Sequence, residues 1–227
     1  MQRASVDPIR LVEGHFTFPR PGRLWFAYDA PLKRLLDLVL ATFGLVATLP
    51  IWLGIVLAIR LDSPGPAIFM QERVGLHGRR FRFYKFRSMY VDAEQRLAEV
   101  QAHNEIDGPV FKMRNDPRVS RVGSILRRTS LDELPQLLNV LMGDMSLVGP
   151  RPFPAYHLDA FDAEFQALRA SVPPGLTGLW QISSRSNGDL DVQRAQDCFY
   201  IHNRSLWLDL YILIATLPAV IGAQGAK

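Results

Sequence analysis

The sequence predicts an α+β fold: a mainly helical, membrane-associated domain with one small β-hairpin and amphipathic helices. Three observations carry that expectation. A run from Leu38 to Ile59 holds 22 residues without a charge. The stretch 66–89 reads as two paired strands around a Leu76-His77-Gly78 turn, with Phe81 and Phe83 alternating with Arg82. Later segments show helical patterning broken by proline- and glycine-rich stretches. At 227 residues the chain has room for one domain, or one domain with an attached segment. Its composition, 48% hydrophobic and 21% charged, is that of a folded chain rather than a disordered one. The single cysteine, Cys198, excludes an internal disulfide and fits a reducing compartment.

The apolar run would form a helix of about 33 Å, close to the thickness of a bilayer's hydrocarbon core. It starts too late and lacks the small-residue cleavage pattern of a signal peptide. Pro50 sits near its middle, where the missing N–H and the ring clash favour a bend. Each arm alone is about 18 Å or less, too short to cross. Lys33 and Arg34 precede the run, while Arg60 and a basic stretch at 73–87 follow it. The positive-inside tendency thus draws both flanks to the same side. On the residues alone, a hairpin within one leaflet and a proline-kinked full span stand level.

The other elements follow in order. Residues 1–30 are rich in proline and glycine and read as irregular, with Phe16, Phe18, Trp25, Phe26 and Tyr28 suited to headgroup depth or to packing. The polar stretch after residue 90 reads as an exposed helix, and "DPRVSRVGSILRRT" as a loop entering a short amphipathic helix. The segment 129–142 is the next helix, "GDMSLVGPRP" a turn-rich loop, and 153–170 helical again. "VPPGLTGLWQISSRSNG" reads as a loop. The last helix, ending near Ala219, carries Trp207, Asp209 and Tyr211, and suits either the membrane interface or the core.

Charge is unevenly distributed although the net value is only +4. From Arg60 to Met89 seven basic residues face two acids, and from Lys112 to Arg128 six face Asp116 alone. Such clusters suit an anionic partner, phosphate or lipid headgroup, as well as an ordinary solvated surface. Within this setting "TSLDELPQLLNV" places Asp132 beside Glu133. Pro135 belongs in the first turn of a helix, so the acids lie at that helix's positive end. Ser130 and Glu133 match an S-x-x-E capping box, which would account for Glu133 but not for Asp132. Arginines at 127, 128 and 151 favour an ionised Asp132, a competent nucleophile, and can grip phosphate oxygens. A second carboxylate beside it suits Mg²⁺ shared with phosphate. The chemistry indicated is phosphoryl transfer at a membrane surface.

The stretches "KRLLDLVLA", "RVGLHG", "FYKFRSM", "DGPVFKMRNDPRV", "RRTSLDELPQLLNVLMGDMSLVGPRP", "PGLTGLWQISSRS" and "IHNRSLWLDLYIL" occur in this order across about residues 31–215. In them the chain resembles the bacterial sugar transferase family, the monotopic polyprenyl-phosphate phosphoglycosyl transferases, in the short form that initiates exopolysaccharide or capsule units. The resemblance implies that Asp132 is the nucleophile, attacking the β-phosphorus of a UDP-sugar and expelling UMP. Undecaprenyl phosphate would then take the sugar phosphate from it. UDP-glucose and UDP-galactose are the donors it points to first, with N-acetylated sugars left open. Glu133 would be the dyad partner that helps hold Mg²⁺, and Arg151 of the Pro-Arg-Pro loop would bind phosphate. Arg127, Lys85 and Arg87 match basic positions assigned to phosphate contacts. The apolar run would be a re-entrant helix broken at Pro50.

After the irregular segment at 1–30, the resemblance implies a re-entrant membrane helix at 31–60 and a cytoplasmic catalytic domain at 61–220. The protein would sit on the cytoplasmic face of the inner membrane, in contact with lipid, with both termini cytoplasmic and a homodimer allowed. One departure stands out: many relatives have Ser-Gly-Arg where this chain has Ser183-Ser184-Arg185, which removes a glycine's backbone freedom. The five histidines lack ligand spacing, so no zinc site is expected, and no P-loop or dinucleotide fingerprint occurs. The alternation of aromatics and arginines at 81–87 could suit nucleic acid, yet a strand beside a membrane explains it, and no nucleic acid is expected. Two rivals remain: a non-catalytic membrane-tethered adaptor for anionic lipid or nucleic acid, and a transferase that moves the sugar without its phosphate and releases UDP.

Overall fold

A computed structural model describes residues 30–101, 104–105, 111, 113, 115–183 and 190–221. The N-terminal aromatics, part of the 107–119 stretch and the Ser184-Arg185 departure lie outside the described residues. The apolar run forms α1, Ala30–Asp62, a single helix of 33 residues with Pro50 inside it. Near the proline, Thr48 back-bonds to the Gly44 carbonyl at 2.7 Å, a local competitor to the helical ladder.

Both arms of α1 rest on the same body. Before Pro50, Asp37 accepts a bond from the Leu147 amide at 3.0 Å, and Ala41 is fully buried in the main core. Beyond Pro50, Ile55 and Ile59 pack with Ala67, Phe86 and Leu126, and Trp52 meets Phe86 edge-on at 5.1 Å. The other side of the helix exposes Val39, Phe43, Val46, Leu53, Leu57 and Leu61, an apolar face along both arms. Such a face is at home only in a partner's surface or in lipid.

The expected hairpin forms as drawn. β1, Ile68–Val74, pairs antiparallel with β2, Arg80–Phe86, in a register running from Ile68↔Phe86 to Val74↔Arg80. The turn is a short 3₁₀ segment, Leu76–Gly78, with His77 and Gly78 both at positive φ. Phe81 and Phe83 point into the core while Arg80 and Arg82 face out.

Two segments read as loops prove to contain a second sheet. β3, Ser146–Val148, pairs in parallel with β4, Gly175–Thr177. Each strand is only three residues long and largely buried on both faces, so neither shows the alternation that marks a half-exposed strand. Glycines let these segments approach closely: a Cβ on Gly175 would lie 2.1 Å from the Gly149 nitrogen.

The helices complete the body. In place of a long helix, the described residues of the polar stretch after residue 90 hold the short helix α2, Leu97–Val100. α3 is Arg121–Thr129 and α4 is Gln136–Met142, closed by Gly143 at φ 90°. α5, Ala155–Leu158, and α6, Ala163–Ala170, are followed by α7, Leu179–Ser183. α8, Leu190–His202, has no counterpart in the sequence reading, and α9 is Leu206–Ile221. α9 packs in the core as one of the two readings had it, with Leu208 and Ile212 buried, while Trp207, Ile214 and Leu217 are exposed. Its Asp209 is buried, ion-paired with Lys33 of α1 and approached at 2.9 Å by the Tyr200 hydroxyl.

Gly123 shows how tightly α3 is seated. Ser120 caps the helix by accepting from the Gly123 amide at 3.0 Å, and a Cβ on Gly123 would stand 1.9 Å from the Ser88 carbonyl oxygen. Gly123→Ala should therefore destabilise the protein by about 1–3 kcal/mol, read as a lowered thermal unfolding midpoint in detergent. Gly54→Ala, where nothing lies within 4 Å, should leave the midpoint level or slightly raised.

Candidate active site

Asp132 and Glu133 lie on a 3₁₀ turn, Leu131–Glu133, between α3 and α4. The capping box expected from Ser130 does not form. Ser130 instead ends α3 in the left-handed conformation, φ 57° and ψ 14°, with its amide bonded to the Arg127 carbonyl at 3.2 Å. Its side chain makes no capping bond to the Leu131–Glu133 turn, and Glu133 turns its carboxylate to Arg151. The arginines at 127 and 128 suit the last turn of α3, which explains why this helix runs on to Thr129. Pro135 does sit at the start of α4, where its missing N–H leaves no gap.

Glu133 is held by two cations. Arg151 clasps it with both arms of its fork, Nη2 to Oε1 at 2.7 Å and Nη1 to Oε2 at 3.2 Å. Lys85, from β2, donates to the same Oε1 at 3.1 Å and reaches Asp132 Oδ2 at 3.4 Å. Asp132 is the more buried of the two carboxylates and the more lightly held, with that long Lys85 contact as its one hydrogen bond among the described residues. Burial alone pulls the Arg151 guanidinium down, but Glu133 and then Asp132 more than offset it, holding Arg151 above its ordinary value.

The remaining expected residues divide. Arg127 donates to the Ser88 hydroxyl at 2.9 Å; burial lowers its pKa, while Asp132 acts on it from nearby in the opposite direction. Arg87, expected among the phosphate contacts, is turned away from the acid pair. Its guanidinium binds the Ser63 and Pro64 carbonyls at 2.7 and 2.8 Å and secures the chain just after α1. Its place two residues from Lys85, just past the end of β2, did not reveal that destination.

Two further residues shape the site without a sequence signal. Arg73 donates to the Pro152 carbonyl at 3.0 Å and lies over the Phe83 ring at 5.0 Å. Burial and then Arg151 lower its pKa to about 10, so it is another guanidinium near the pair. Asn139, fully buried on α4, accepts from the Tyr84 amide at 3.1 Å and donates to the Arg82 carbonyl at 2.6 Å. It takes the place of a neighbouring strand for β2 and so fixes the backbone beside Lys85. Arg73 lay within a recognised basic stretch, but nothing distinguished it there.

The loop 149–153 is equally restrained. The Gly149 amide bonds to the Thr177 carbonyl at 2.9 Å, the Pro150 carbonyl accepts from Gly175 at 2.9 Å, and the Phe153 carbonyl accepts from Val74 at 3.0 Å. Two acids are thus surrounded by Lys85, Arg151, Arg127 and Arg73. That excess of positive charge suits a diphosphate, whose oxygens the arginine forks match. Among the described residues no group of three or more His, Cys, Asp or Glu could hold a metal alone. Paired carboxylate oxygens do fit Mg²⁺ when substrate phosphates supply further ligands.

The family model described as bacterial sugar transferase matches residues 28–223. The chain belongs to the bacterial sugar transferase family. Among its curated relatives, the galactosyl transferase CpsE of Streptococcus agalactiae is 48% identical over 86% of this chain and 43% of its own length. The undecaprenyl-phosphate galactose phosphotransferase of Salmonella typhimurium is 42% identical, over 86% and 41%. A UDP-glucose:undecaprenyl-phosphate glucose-1-phosphate transferase of Caulobacter vibrioides is 45% identical, over 86% and 71%. This sugar transferase chain spans less than half the length of the first two.

The division of labour within the acid pair is measurable without substrate. Glu133→Gln leaves Arg151 and Lys85 without their shared counter-charge and should lower stability by about 1–3 kcal/mol. Asp132→Asn, which removes one long contact, should lower it by less than about 1 kcal/mol. Thermal unfolding of the two variants in detergent checks the order.

Proposed function

We propose that this protein transfers a sugar 1-phosphate from a UDP-sugar to undecaprenyl phosphate, releasing UMP. The observation that carries the reading is the lightly held Asp132 carboxylate beside a clasped Glu133, among four cationic side chains. An Asp132 oxygen attacks the β-phosphorus of the donor, and the bond from that phosphorus to the bridging oxygen breaks. UMP departs, and an aspartyl phosphosugar remains on the enzyme. The phosphate of undecaprenyl phosphate then attacks the same phosphorus, freeing Asp132 and forming the lipid diphosphosugar. A two-step displacement lets one site serve a soluble donor and a membrane-bound acceptor in turn.

Arg151 and Lys85 lie where they can hold phosphate oxygens and stabilise the charge that builds at phosphorus. Arg127 supports Asp132 electrostatically from α3. Mg²⁺, held by Glu133 with Asp132 beside it, would neutralise diphosphate charge when bound. The relatives' names point to glucose, galactose or N-acetylgalactosamine as the sugar. Their names also include exopolysaccharide production proteins, which supports initiation of exopolysaccharide as the process served.

The same reading places α1 in one leaflet of the cytoplasmic membrane, entering and leaving on the cytoplasmic side. Its support is that residues 37–41 and 52–59 both pack on the globular body. A straight crossing helix needs about 20 consecutive residues clear of such a body. Lys33, bound to Asp209, and Arg34, bound to the Val140 and Leu141 carbonyls, hold the first flank down as well.

Intact-protein mass tests the chemistry. Detergent-purified protein mixed with Mg²⁺ and a panel of UDP-sugars, without acceptor lipid, should gain one hexose phosphate or its N-acetylated counterpart and release UMP. Asp132→Asn should gain nothing. UMP appearing only once polyprenyl phosphate is added, with no adduct on the protein, would contradict the aspartyl intermediate.

A further inference from the structure

The Arg151 carbonyl has an unusual partner. It accepts a hydrogen bond from Nη2 of Arg169, on α6. Arg169 is buried, with its guanidinium 4.0 Å above the Phe153 ring and 5.8 Å from the Phe165 ring. Its Nε lies 3.3 Å from Oδ2 of Asp197, a buried carboxylate on α8. Burial pushes the Asp197 carboxyl up to about 6 against the pull of Arg169, and lowers the Arg169 guanidinium against the pull of Asp197. Burying both charges is costly, and apolar residues of the same volume often serve a core as well or better. What the pair supplies beyond packing is one oriented donor, directed at the main chain of the residue whose fork clasps Glu133.

We propose that Arg169, oriented by Asp197, is a positioning residue for Arg151. By fixing the peptide after Arg151, it sets the direction from which the fork meets Glu133 and, on the function proposed above, the donor diphosphate. The inference rests on that function. Phe153 beneath the guanidinium and Asp197 behind it hold Arg169 in register, so the carbonyl has a single donor direction. A bidentate group depends on such placement, because both N–H vectors must be met at once. A lysine at 151, a flexible point charge on a long stem, would not depend on it.

That difference supplies the test. UDP binding to the full detergent-purified chain, with Mg²⁺, is measured by calorimetry in wild type, Arg169→Lys, Arg151→Lys and the double variant. Lysine at 169 cannot reach the carbonyl and Asp197 together as the fork does. With Arg151 present, Arg169→Lys should weaken UDP binding about tenfold; with Lys at 151, the further loss should be less than about twofold. Equal losses in both backgrounds, or no loss with Arg151 present, would overturn the proposal and leave Arg169 as packing. If Arg169→Lys does not purify in folded form, Asp197→Asn is measured in the same two backgrounds by the same criteria. A wild-type chain that does not bind UDP would overturn the reading of the site itself, and this proposal with it.

Discussion

The arrangement depends on α1 lying against the domain with both of its arms. The first arm packs on α4 and β3, and the second on α3 and the end of β2. The turn that carries Asp132 and Glu133 is the link between α3 and α4. Leu134, next to the acids, packs against both the core that receives the first arm and the core that receives the second. The reactive turn is therefore held from behind by the same helix that presents its apolar face outward. On the function proposed above, this geometry would set the depth of the carboxylates relative to a bilayer surface, where the lipid-borne phosphate arrives.

Charge then decides how the two carboxylates differ. Adjacent acids with equal surroundings would repel and share their protons. Here Glu133 satisfies the Arg151 fork and Lys85, whereas Asp132 keeps one long contact. On the function proposed above, the cations that hold Glu133 would also bind the diphosphate, so clasping and binding would draw on one set of side chains. Rigidity comes from the main chain: the carbonyls of Pro150, Arg151, Pro152 and Phe153 each accept a hydrogen bond from outside the loop. Such preorganisation lets an arginine act without first being ordered.

Much of this was legible in the residues. A charge-free run with a central proline declared the long apolar helix α1, and the residues around Leu76-His77-Gly78 declared the hairpin and its turn. The acid pair and Arg151 stood out because like charges were placed beside a proline and between arginines. What stayed hidden depends on contacts distant in sequence. The strands 146–148 and 175–177 are too short and too buried to alternate. Ser130 matched a capping box, but the left-handed turn that closes α3 overrode it. Arg73, Asn139 and Arg169 act on the backbone of other segments, and such a role leaves no local pattern. Arg87 resembled Lys85 in sequence, yet it stands just past the end of β2 and binds the Ser63 and Pro64 carbonyls instead.

The central claim is that the acid turn hangs beneath a helix that enters and leaves the membrane on one side. Cysteine accessibility tests it most directly. In a Cys198→Ser background, single cysteines at Ala30 and Glu72, one on each side of the apolar run, are exposed to a membrane-impermeant maleimide. The account predicts that neither reacts in intact spheroplasts and that both react after permeabilisation. Labelling of one but not the other in intact spheroplasts would place the two flanks on opposite faces and contradict it.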